Sequence, residues 1–508
     1  MDLLSDAWIP VRPLDGGGSV KITLQELLCS NQHWQLCLPR DDMELAALQL
    51  LISIVQVSWI PEDDAALRRF LNQPLSEADF KTGIAQWGDM FRLDHPEHPC
   101  LQVKGVAAKD VTGLEKLMAG LTGATNCTFV NEPGQGGFLC GGCAAIALFN
   151  QANNAPSFGG GFKSGLRGGS PVTTLIQAVD QKRADLRTTI WLNVLTRPRL
   201  HTLFGDDLLL QQKPTWQQPI KEKSSISGAT IGLLRGLFWQ PDHIELTAPV
   251  GAGQCSGCGQ QVDVRYNGFL KAKFSFDIDG TWPHPHSPRL LQNKKGEVEQ
   301  KFLAFTTSAP SWTQLSRVLV KLDRAKGEGQ IPAAVVSQSQ VVFPAAATHL
   351  IVGGYRNNQA SILERRHEVM ALHQGWQTHD DVIPRLVEIG LGYKSALRSA
   401  LFTFAEGVKN SDVKGAGVKA HEKAERDFFR QSEPVVMALL ANLDFTDPVP
   451  QFDQLRGYLH KLCTELFEQA TEPYSHHPKL VRTMAVARRS LQKHLSDLKP
   501  QQGDHHAA

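Results

Sequence analysis

Cys140-Gly-Gly-Cys143 and Cys255-Ser-Gly-Cys258 are the two stretches that decide how much of this chain must fold as one body. Each has the Cys-x-x-Cys spacing with which two thiolates hold one tetrahedral ion, and the small residues between the cysteines permit the sharp turn that this needs. Four thiolates suit a structural zinc ion and leave no coordination position open for a substrate. One ion bound by all four would join two distant parts of the chain. The alternative is two unrelated buried pairs.

The overall composition is that of a large protein without a marked charge. Its 508 residues include 52 basic and 51 acidic side chains, a formal net charge of +1. This excludes a uniformly basic nucleic-acid coat but not a local basic surface. Nine cysteines in this length do not make a disulfide scaffold, so we expect a reducing compartment. The first residues lack the pattern of a signal peptide. We therefore predict a cytoplasmic protein that is not attached to a membrane.

Two patterns divide the chain near residue 374. Before it, strand and helix signals are mixed; one apolar run, Leu45 to Ile60, follows acidic residues that favour a helix N-terminus and predicts a buried helix. After it, leucines recur at helical spacing. The sequence therefore predicts an α+β fold, with a large mixed α/β domain that holds the structural zinc site at 1–374, a C-terminal four-helix bundle at 375–500 and a disordered tail at 501–508.

A glycine-dense stretch with interleaved basic residues runs from Phe158 to Gly169. Bare backbone amides can form an anion nest, but the stretch lacks the Gly-x-x-x-x-Gly-Lys-Ser/Thr pattern of a P-loop. The glycines at 159–161 carry no side chains, so their peptide groups can approach base edges in a narrow groove. An ordinary flexible loop is the alternative.

A second stretch, Gly353-Gly-Tyr-Arg-Asn-Asn-Gln-Ala-Ser361, predicts a projecting hairpin tip rich in amide groups. Such a tip can enter a base stack and satisfy the exposed base edges. Taken alone, the stretch favours the simpler interpretation of a hairpin turn and a helix cap, with a helix beginning at Ile362.

No arrangement of residues is typical of an enzyme. The chain has no Ser-His-Asp order, no metalloprotease helix and no helicase or nuclease signature. The histidines of 283–287 and 475–478 are flanked by prolines and are predicted to lie in surface loops. Asp277 and Asp279 fit a strand and turn better than a metal-binding pair. The sequence therefore does not predict an enzyme.

Long stretches of the chain resemble the CasA family, the large subunit of the type I-E CRISPR surveillance complex Cascade. The resemblance runs essentially from end to end. It is carried by Trp8-Ile-Pro-Val-Arg-Pro, Gly123-Ala-Thr-Asn-Cys-Thr-Phe-Val-Asn131, the stretch from Phe158 to Gly169, Ala304-Phe-Thr-Thr-Ser-Ala-Pro-Ser-Trp-Thr-Gln, the stretch from Gly353 to His367, and Tyr474-Ser-His-His-Pro-Lys-Leu.

The resemblance implies a non-catalytic subunit that recognises the protospacer-adjacent motif in duplex DNA through the minor groove and wedges the duplex open to begin R-loop formation. It also implies recruitment of the helicase-nuclease of the type I-E system. The implied partners are the other Cascade subunits, the crRNA and double-stranded target DNA. The alternative is a zinc-dependent hydrolase acting on nucleic acid.

The family's functional residues map onto this sequence by motif. The implied DNA-contacting residues are Gly159, Gly160, Gly161, Lys273 (with Lys271 as the second choice), Asn358 and Gln359. The residues implied to contact the crRNA end and a neighbouring subunit are Phe129, Val130 and Asn131. The family's zinc site falls on Cys140, Cys143, Cys255 and Cys258.

Overall fold

The computed structural model describes residues 1–121, 134–179, 185–344, 346–411, 413 and 419–499. The chain divides into two compact units. Unit 1 consists of residues 1–307, 321–342 and 349–369, and unit 2 of residues 308–320, 343–348 and 370 onwards. The domain limits at 374 and 500 stay predictions, and the predicted tail at 501–508 lies outside the described residues.

The described strands are short apart from the last two. They are β1 Ile9–Pro13, β2 Val20–Ile22, β3 Trp34–Leu36, β4 Thr112–Gly113, β5 Thr173–Ala178, β6 Ser224–Ser227, β7 His243–Leu246, β8 Gly253–Gln254, β9 Gln261–Val262, β10 Gly268–Ala272, β11 Phe276–Asp279, β12 Arg289–Lys294, β13 Glu297–Phe302, β14 Leu322–Asp323, β15 Gly329–Ile331, β16 Thr348–Asn358 and β17 Ser361–Leu372.

The described α-helices are short in the first part of the chain and long at its end. They are α1 Leu24–Cys29, α2 Asp41–Ser58, α3 Asp64–Asn72, α4 Glu77–Ala85, α5 Gly141–Asn153, α6 Leu186–Leu192, α7 Arg197–Phe204, α8 Leu233–Leu237, α9 Leu315–Leu319, α10 Ala334–Val342, α11 Val382–Lys409, α12 Ala420–Asn442, α13 Val449–Thr471 and α14 Val481–Asp497.

The core of unit 1 is organised around two helices that pack against each other, α2 and α5. Every residue of α2 except Asp41 and Glu44 is buried, which confirms the predicted buried helix. Its acidic first turn lies at the positive end of the helix dipole, where a carboxylate stabilises the helix. In α5 all residues after Gly141 are buried. The two buried helices therefore form the packed core that supports the loops of unit 1.

The described residues form six small sheets, which lie in unit 1 apart from the ends of β16 and β17. Their strand orders are β2-β1-β3, β4-β10-β7, β11-β6, β13-β12-β15-β14, β17-β16-β5 and β8-β9. Three of them bear on the site. Strands β8 and β9 flank the second cysteine pair, β10 leads into Lys273, and β16 and β17 form a long hairpin. The helix predicted from Ile362 is wrong: this stretch is β17, because hydrogen bonding to β16 prevails over a local pattern that fits either structure.

Unit 2 is built mainly from α11, α12, α13 and α14, which contact one another. The leucine stripes predicted from the sequence are buried, as in α13, where Leu455, Leu459, Leu462 and Leu466 all face the interior. This amphipathic pattern confirms the predicted C-terminal group of four helices and, with unit 1, the α+β fold class. No helix in the described ranges is long and apolar enough to cross a membrane.

Candidate metal centre and glycine-loop surface

The fold brings the two distant cysteine pairs together. The sulfur atoms of Cys140, Cys143, Cys255 and Cys258 lie within 4.8 Å of one another, and all four residues are buried. We call these residues the cysteine cluster. Cys140 is the N-cap of α5, and the second pair lies in the turn between β8 and β9. The alternative of two unrelated buried pairs is therefore wrong.

Backbone N–H groups support the sulfurs in each turn. The N–H of Cys143 donates to Cys140 Sγ over 3.5 Å, and the N–H of Gly257 donates to Cys255 Sγ over 3.3 Å. The two pairs are also linked directly, because the N–H of Cys140 donates to Cys255 Sγ over 3.2 Å. A Cβ atom on Gly257 would lie 2.9 Å from the Cβ and Sγ of Cys143. The small residues between the cysteines are therefore a steric requirement of the site.

The electrostatics of the cluster lower the pKa of two cysteines, Cys140 and Cys255, whereas hydrogen bonds to neighbouring cysteines raise the pKa of Cys143 and Cys258. Hydrogen bonds from Cys143, Cys255 and Cys258 hold the pKa of Cys140 far below its usual range. Lys21 Nζ, on β2, lies 3.0 Å from Cys140 Sγ. Burial acts to lower the pKa of Lys21, but the negative charge and hydrogen bond of Cys140 prevail and raise it. Four sulfur ligands with a nearby cation fit a thiophilic metal ion in a closed tetrahedral site. Lys21 was not among the residues predicted for the site, because its contact with Cys140 joins positions that are far apart in sequence.

The stretch from Phe158 to Gly169, here called the glycine loop, exposes its glycines at a turn. Gly159, Gly160 and Gly161 have φ angles of 77°, 60° and 93°, a left-handed conformation that glycine adopts without strain. Gly160 has open space where a Cβ would be, whereas a Cβ on Gly159 would lie 3.1 Å from Ala360 Cβ. The turn therefore offers bare backbone on one side and touches the β16–β17 hairpin on the other.

Two lysines next to the loop have different surroundings. Lys273 is exposed, and its Nζ donates to the carbonyl oxygen of Gly160 over 3.1 Å. Lys271 is half-buried, with its Nζ 5.1 Å from the ring centre of Phe158 and 4.5 Å from that of Phe162. Burial lowers the pKa of Lys271. Lys273 thus has its charge at the surface beside the glycines, whereas Lys271 packs against the aromatic rings of the loop.

The hairpin tip, residues 357–360, lies beside the glycine loop. Gln359 has a φ of 53°, unusual for a residue with a long side chain, and its carbonyl oxygen accepts a hydrogen bond of 2.6 Å from Asn357 Nδ2. Asn358 and Gln359 are exposed. The predicted hairpin is confirmed, and its amide side chains project where the strand ladder ends.

Carboxylates partly offset the positive charge around the loop. Lys163 Nζ lies 3.1 Å from Asp277 Oδ1, and the backbone N–H of Lys163 donates to Asp242 Oδ1 over 3.1 Å. Burial raises the pKa of Asp242 to about 7 despite that hydrogen bond and the nearby charge of Lys271. Lys273 carries an exposed positive charge next to the three glycines, since its Nζ donates to the carbonyl oxygen of Gly160.

Two further expectations concern residues outside the cysteine cluster and the glycine loop. The surface-loop prediction is wrong for His284 and His286, which are buried, because tertiary hydrogen bonds hold this segment in the interior: His286 accepts one at its carbonyl oxygen from Thr174 of β5, and Ser287 accepts one from Arg167. The segment Phe129, Val130 and Asn131 lies outside the described residues.

Known proteins share this fold over almost the whole chain. The family model of CRISPR-associated protein Cse1 matches residues 2–467. Thermobifida fusca Cse1 is 17% identical, with 98% of this chain and 99% of that chain covered and a TM-score of 0.73. Thermus thermophilus CasA (Cse1) is also 17% identical, with 98% of this chain and 99% of that chain covered and a TM-score of 0.71. A chain from a structure described as a CRISPR RNA-guided surveillance complex is 15% identical, with 97% of this chain and 99% of that chain covered and a TM-score of 0.68.

At these identities the solved structures show a shared fold. Membership is shown by the family match, which spans more than half of the chain. The resemblance predicted from the sequence is thereby confirmed, and the chain belongs to the Cse1 family of CRISPR-associated proteins.

Proposed function

We propose that this protein is the large subunit of a type I-E Cascade surveillance complex and that it recognises the protospacer-adjacent motif in duplex DNA. Family membership and the shared fold with a chain of an RNA-guided surveillance complex support the assignment. One observation carries the recognition step: the bare turn at Gly160, the exposed ammonium of Lys273 and the hairpin tip are adjacent, although they come from three separate parts of the chain.

This geometry suits the minor groove. The groove is narrow, and a turn of three glycines can enter it because no side chain widens the turn. Lys273 is attracted to the phosphates and base acceptors that line the groove. Because the groove distinguishes A·T from G·C and little else, recognition by backbone and one lysine should accept several related motifs.

The hairpin tip then acts as the wedge. Unstacking a base step costs a few kcal/mol, and the amides of Asn358 and Gln359 can offset part of this by hydrogen bonding to the exposed base edges. Pairing of the guide RNA with the target strand replaces the lost DNA pairs in a nearly balanced exchange. The protein thus begins the R-loop, and the RNA completes sequence recognition.

The remaining parts have supporting roles. Phe129, Val130 and Asn131 contact the crRNA end and a neighbouring subunit, and the helices of unit 2 dock on other Cascade subunits in the cytoplasm. The assembled complex helps to recruit the helicase-nuclease that degrades the target.

Zinc bound by the cysteine cluster has a structural role. A catalytic zinc ion keeps one position for water, whereas four thiolates fill a tetrahedral shell. This donor set argues against the alternative of a zinc-dependent nucleic-acid hydrolase, which would require an open site and turnover. Metal analysis should give one zinc per chain, and incubation of the isolated protein with DNA and divalent metal should give no cleavage.

Gly160→Asp tests the recognition step. Its Cβ meets no atom within 4 Å, and Asp is among the residues that tolerate left-handed backbone, so the fold should survive. The added carboxylate would face the DNA phosphates, and we expect the complex to bind a motif-bearing duplex about a hundredfold more weakly. Electrophoretic mobility or fluorescence anisotropy measures this directly.

Gly296→Asp is the matched control for that test. Gly296 also has a positive φ, 94°, and also has open space at its Cβ position, but it lies in the turn between β12 and β13. Equal loss of binding in both variants, or no loss in Gly160→Asp, would refute the groove-entry proposal.

A further inference from the structure

A continuous line of buried side-chain hydrogen bonds runs beneath the glycine loop and the hairpin. Tyr355, on β16, donates its hydroxyl proton to Asp42 Oδ2 over 2.8 Å and accepts a hydrogen bond of 2.7 Å from Asn150 Nδ2. Asn150 Oδ1 in turn accepts from Asn154 Nδ2 over 3.1 Å. Asn154 Oδ1 accepts from Arg167 Nη2. The hairpin strand is thereby connected to Asn154, just before the glycine loop, and to Arg167 near the end of the loop.

The direction of these bonds is uniform. Each donor points from the Arg167 end towards the Asp42 end, so a guanidinium begins the line, three neutral groups continue it and a carboxylate ends it. None of the five residues is more than 6% exposed. Hydrogen bonds aligned in this way polarise one another, and their loss inside a protein leaves unpaired polar groups that water does not reach. We call this line the Arg167–Asp42 chain.

Arg167 closes the base of the glycine loop. Besides Asn154, its guanidinium donates to the carbonyl oxygen of Asn153 over 2.8 Å, to Thr173 Oγ1 over 3.0 Å and to Ser287 Oγ over 2.7 Å. All of these acceptors are uncharged, and burial lowers the pKa of Arg167 to about 9. A charge in such surroundings holds its position strictly, because any displacement would leave it without hydrogen bonds.

The opposite end of the chain is equally fixed. Asp42 lies in the first turn of the buried helix α2. Its carboxylate also binds Arg40, with Arg40 Nε 3.0 Å from Oδ1 and Nη2 2.6 Å from Oδ2. Arg40 donates in addition to the carbonyl oxygen of Ala119 over 2.8 Å. Asp42 is therefore held in place both by its position in the buried helix α2 and by Arg40.

Apolar contacts reinforce the connection nearer the surface. Ala119, Ala155, Tyr355 and Ile362 form one buried cluster. Ala155 is at the start of the segment that leads into the glycine loop, and Ile362 follows the hairpin tip. The positions of the two tips are therefore determined by the same small group of side chains.

We propose that the Arg167–Asp42 chain is a positioning device that makes the glycine loop and the hairpin tip move as one unit, with Tyr355 as its central residue. The use of this coupling in opening DNA rests on the proposed function. A wedge must resist the load of an unopened base stack, and a tip linked to the groove-entering loop transfers that load to α2 and α5. Neither Tyr355 nor Arg167 needs to touch DNA in this role.

The first test uses the isolated protein and no DNA. Tyr355→Phe keeps the ring and removes the hydroxyl that links Asn150 to Asp42. Hydrogen exchange should then accelerate about tenfold in the hairpin tip and, equally, at the protected loop amides of Phe162, Lys163 and Gly168. Faster exchange in the hairpin alone would refute the coupling.

Two further variants sharpen this test. Asn154→Ala breaks the same chain at another link, so the double variant should be no faster in exchange than the more affected single variant. Additive effects would mean two independent local defects and would overturn the proposal. Tyr393→Phe removes the hydroxyl of a buried tyrosine in unit 2 and should leave exchange in the loop and the hairpin unchanged.

The second test uses the assembled complex. Tyr355→Phe should slow R-loop formation on paired DNA about tenfold and spare a target with a pre-opened bubble at the motif-proximal bases, since the bubble removes the load on the wedge. Coupled exchange together with unchanged R-loop formation would retain the positioning device and refute the wedge function. Uncoupled exchange would refute the device, whatever the result with DNA.

Discussion

The four sulfurs of the cysteine cluster are buried within 4.8 Å of one another, whereas Gly160 and Gln359 are exposed at the ends of two projecting turns. The cluster depends on what its side chains are, since four thiolates have few uses other than binding a soft metal ion. The glycine-loop surface depends on what is missing, since its turn lacks side chains. One region is therefore identified by its chemistry, and the other by its shape and neighbours.

The difference also has an energetic side. Under the proposed zinc assignment, loss of one cysteine ligand should remove stability from unit 1, because the ion would join stretches that are far apart in sequence. Loss of a group at either tip changes an exposed position and should leave folding nearly intact. Mutations in the two regions should therefore separate stability from DNA recognition.

The largest effect is expected from Cys255→Ser. The variant should lose its zinc and about 4 kcal/mol or more of unfolding free energy, because removal of a structural metal site is among the most damaging single changes. Zinc analysis and thermal unfolding measure both quantities. Cys37→Ser, at a half-buried cysteine outside the cluster, serves as the control. Full stability in the variant without zinc would show that the cluster is not a structural centre.

The next effect is expected from the double variant Asn358→Ala and Gln359→Ala. Opening of paired target DNA by the assembled complex should slow by about a hundredfold. This factor corresponds to the free energy of unstacking one base step, which the two amide side chains would no longer offset. A target with a pre-opened bubble should be bound normally, and the melting temperature should hardly change. Equal loss on both substrates would assign the tip to binding rather than to strand separation.

The smallest effect separates two neighbouring lysines. Lys273→Met should weaken duplex binding about tenfold and reduce the slope of log affinity against log salt by about 1, because it removes one phosphate-facing charge. Lys271→Met should instead destabilise the glycine loop, since it removes the cation–π contacts with Phe158 and Phe162. A reduced salt slope for Lys271→Met with an unchanged slope for Lys273→Met would reverse the assignment.

Much of the architecture could be predicted from local patterns. The buried helix at 41–58 follows from an apolar run behind acidic residues, and the four C-terminal helices follow from leucines at helical spacing. Errors occurred where tertiary contacts decided the outcome. The stretch from Ile362 became a strand by pairing with β16, and His284 and His286 are buried in a segment whose His286 carbonyl oxygen accepts a hydrogen bond from Thr174 of β5.

The sequence by itself determined the donor set of the metal site, the helical end of the chain and the glycine turn, because thiolate chemistry, amphipathic periodicity and the absence of Cβ atoms are properties of residues in a known order. The resemblance had already favoured Lys273 over Lys271, but only the tertiary structure showed that the Lys273 ammonium donates to the carbonyl oxygen of Gly160 and that Lys21 approaches Cys140. The Arg167–Asp42 chain is of the same kind. Its members are separated by up to 313 residues, and a hydrogen bond between such positions exists only after packing has brought donor and acceptor to within 3 Å or so of each other.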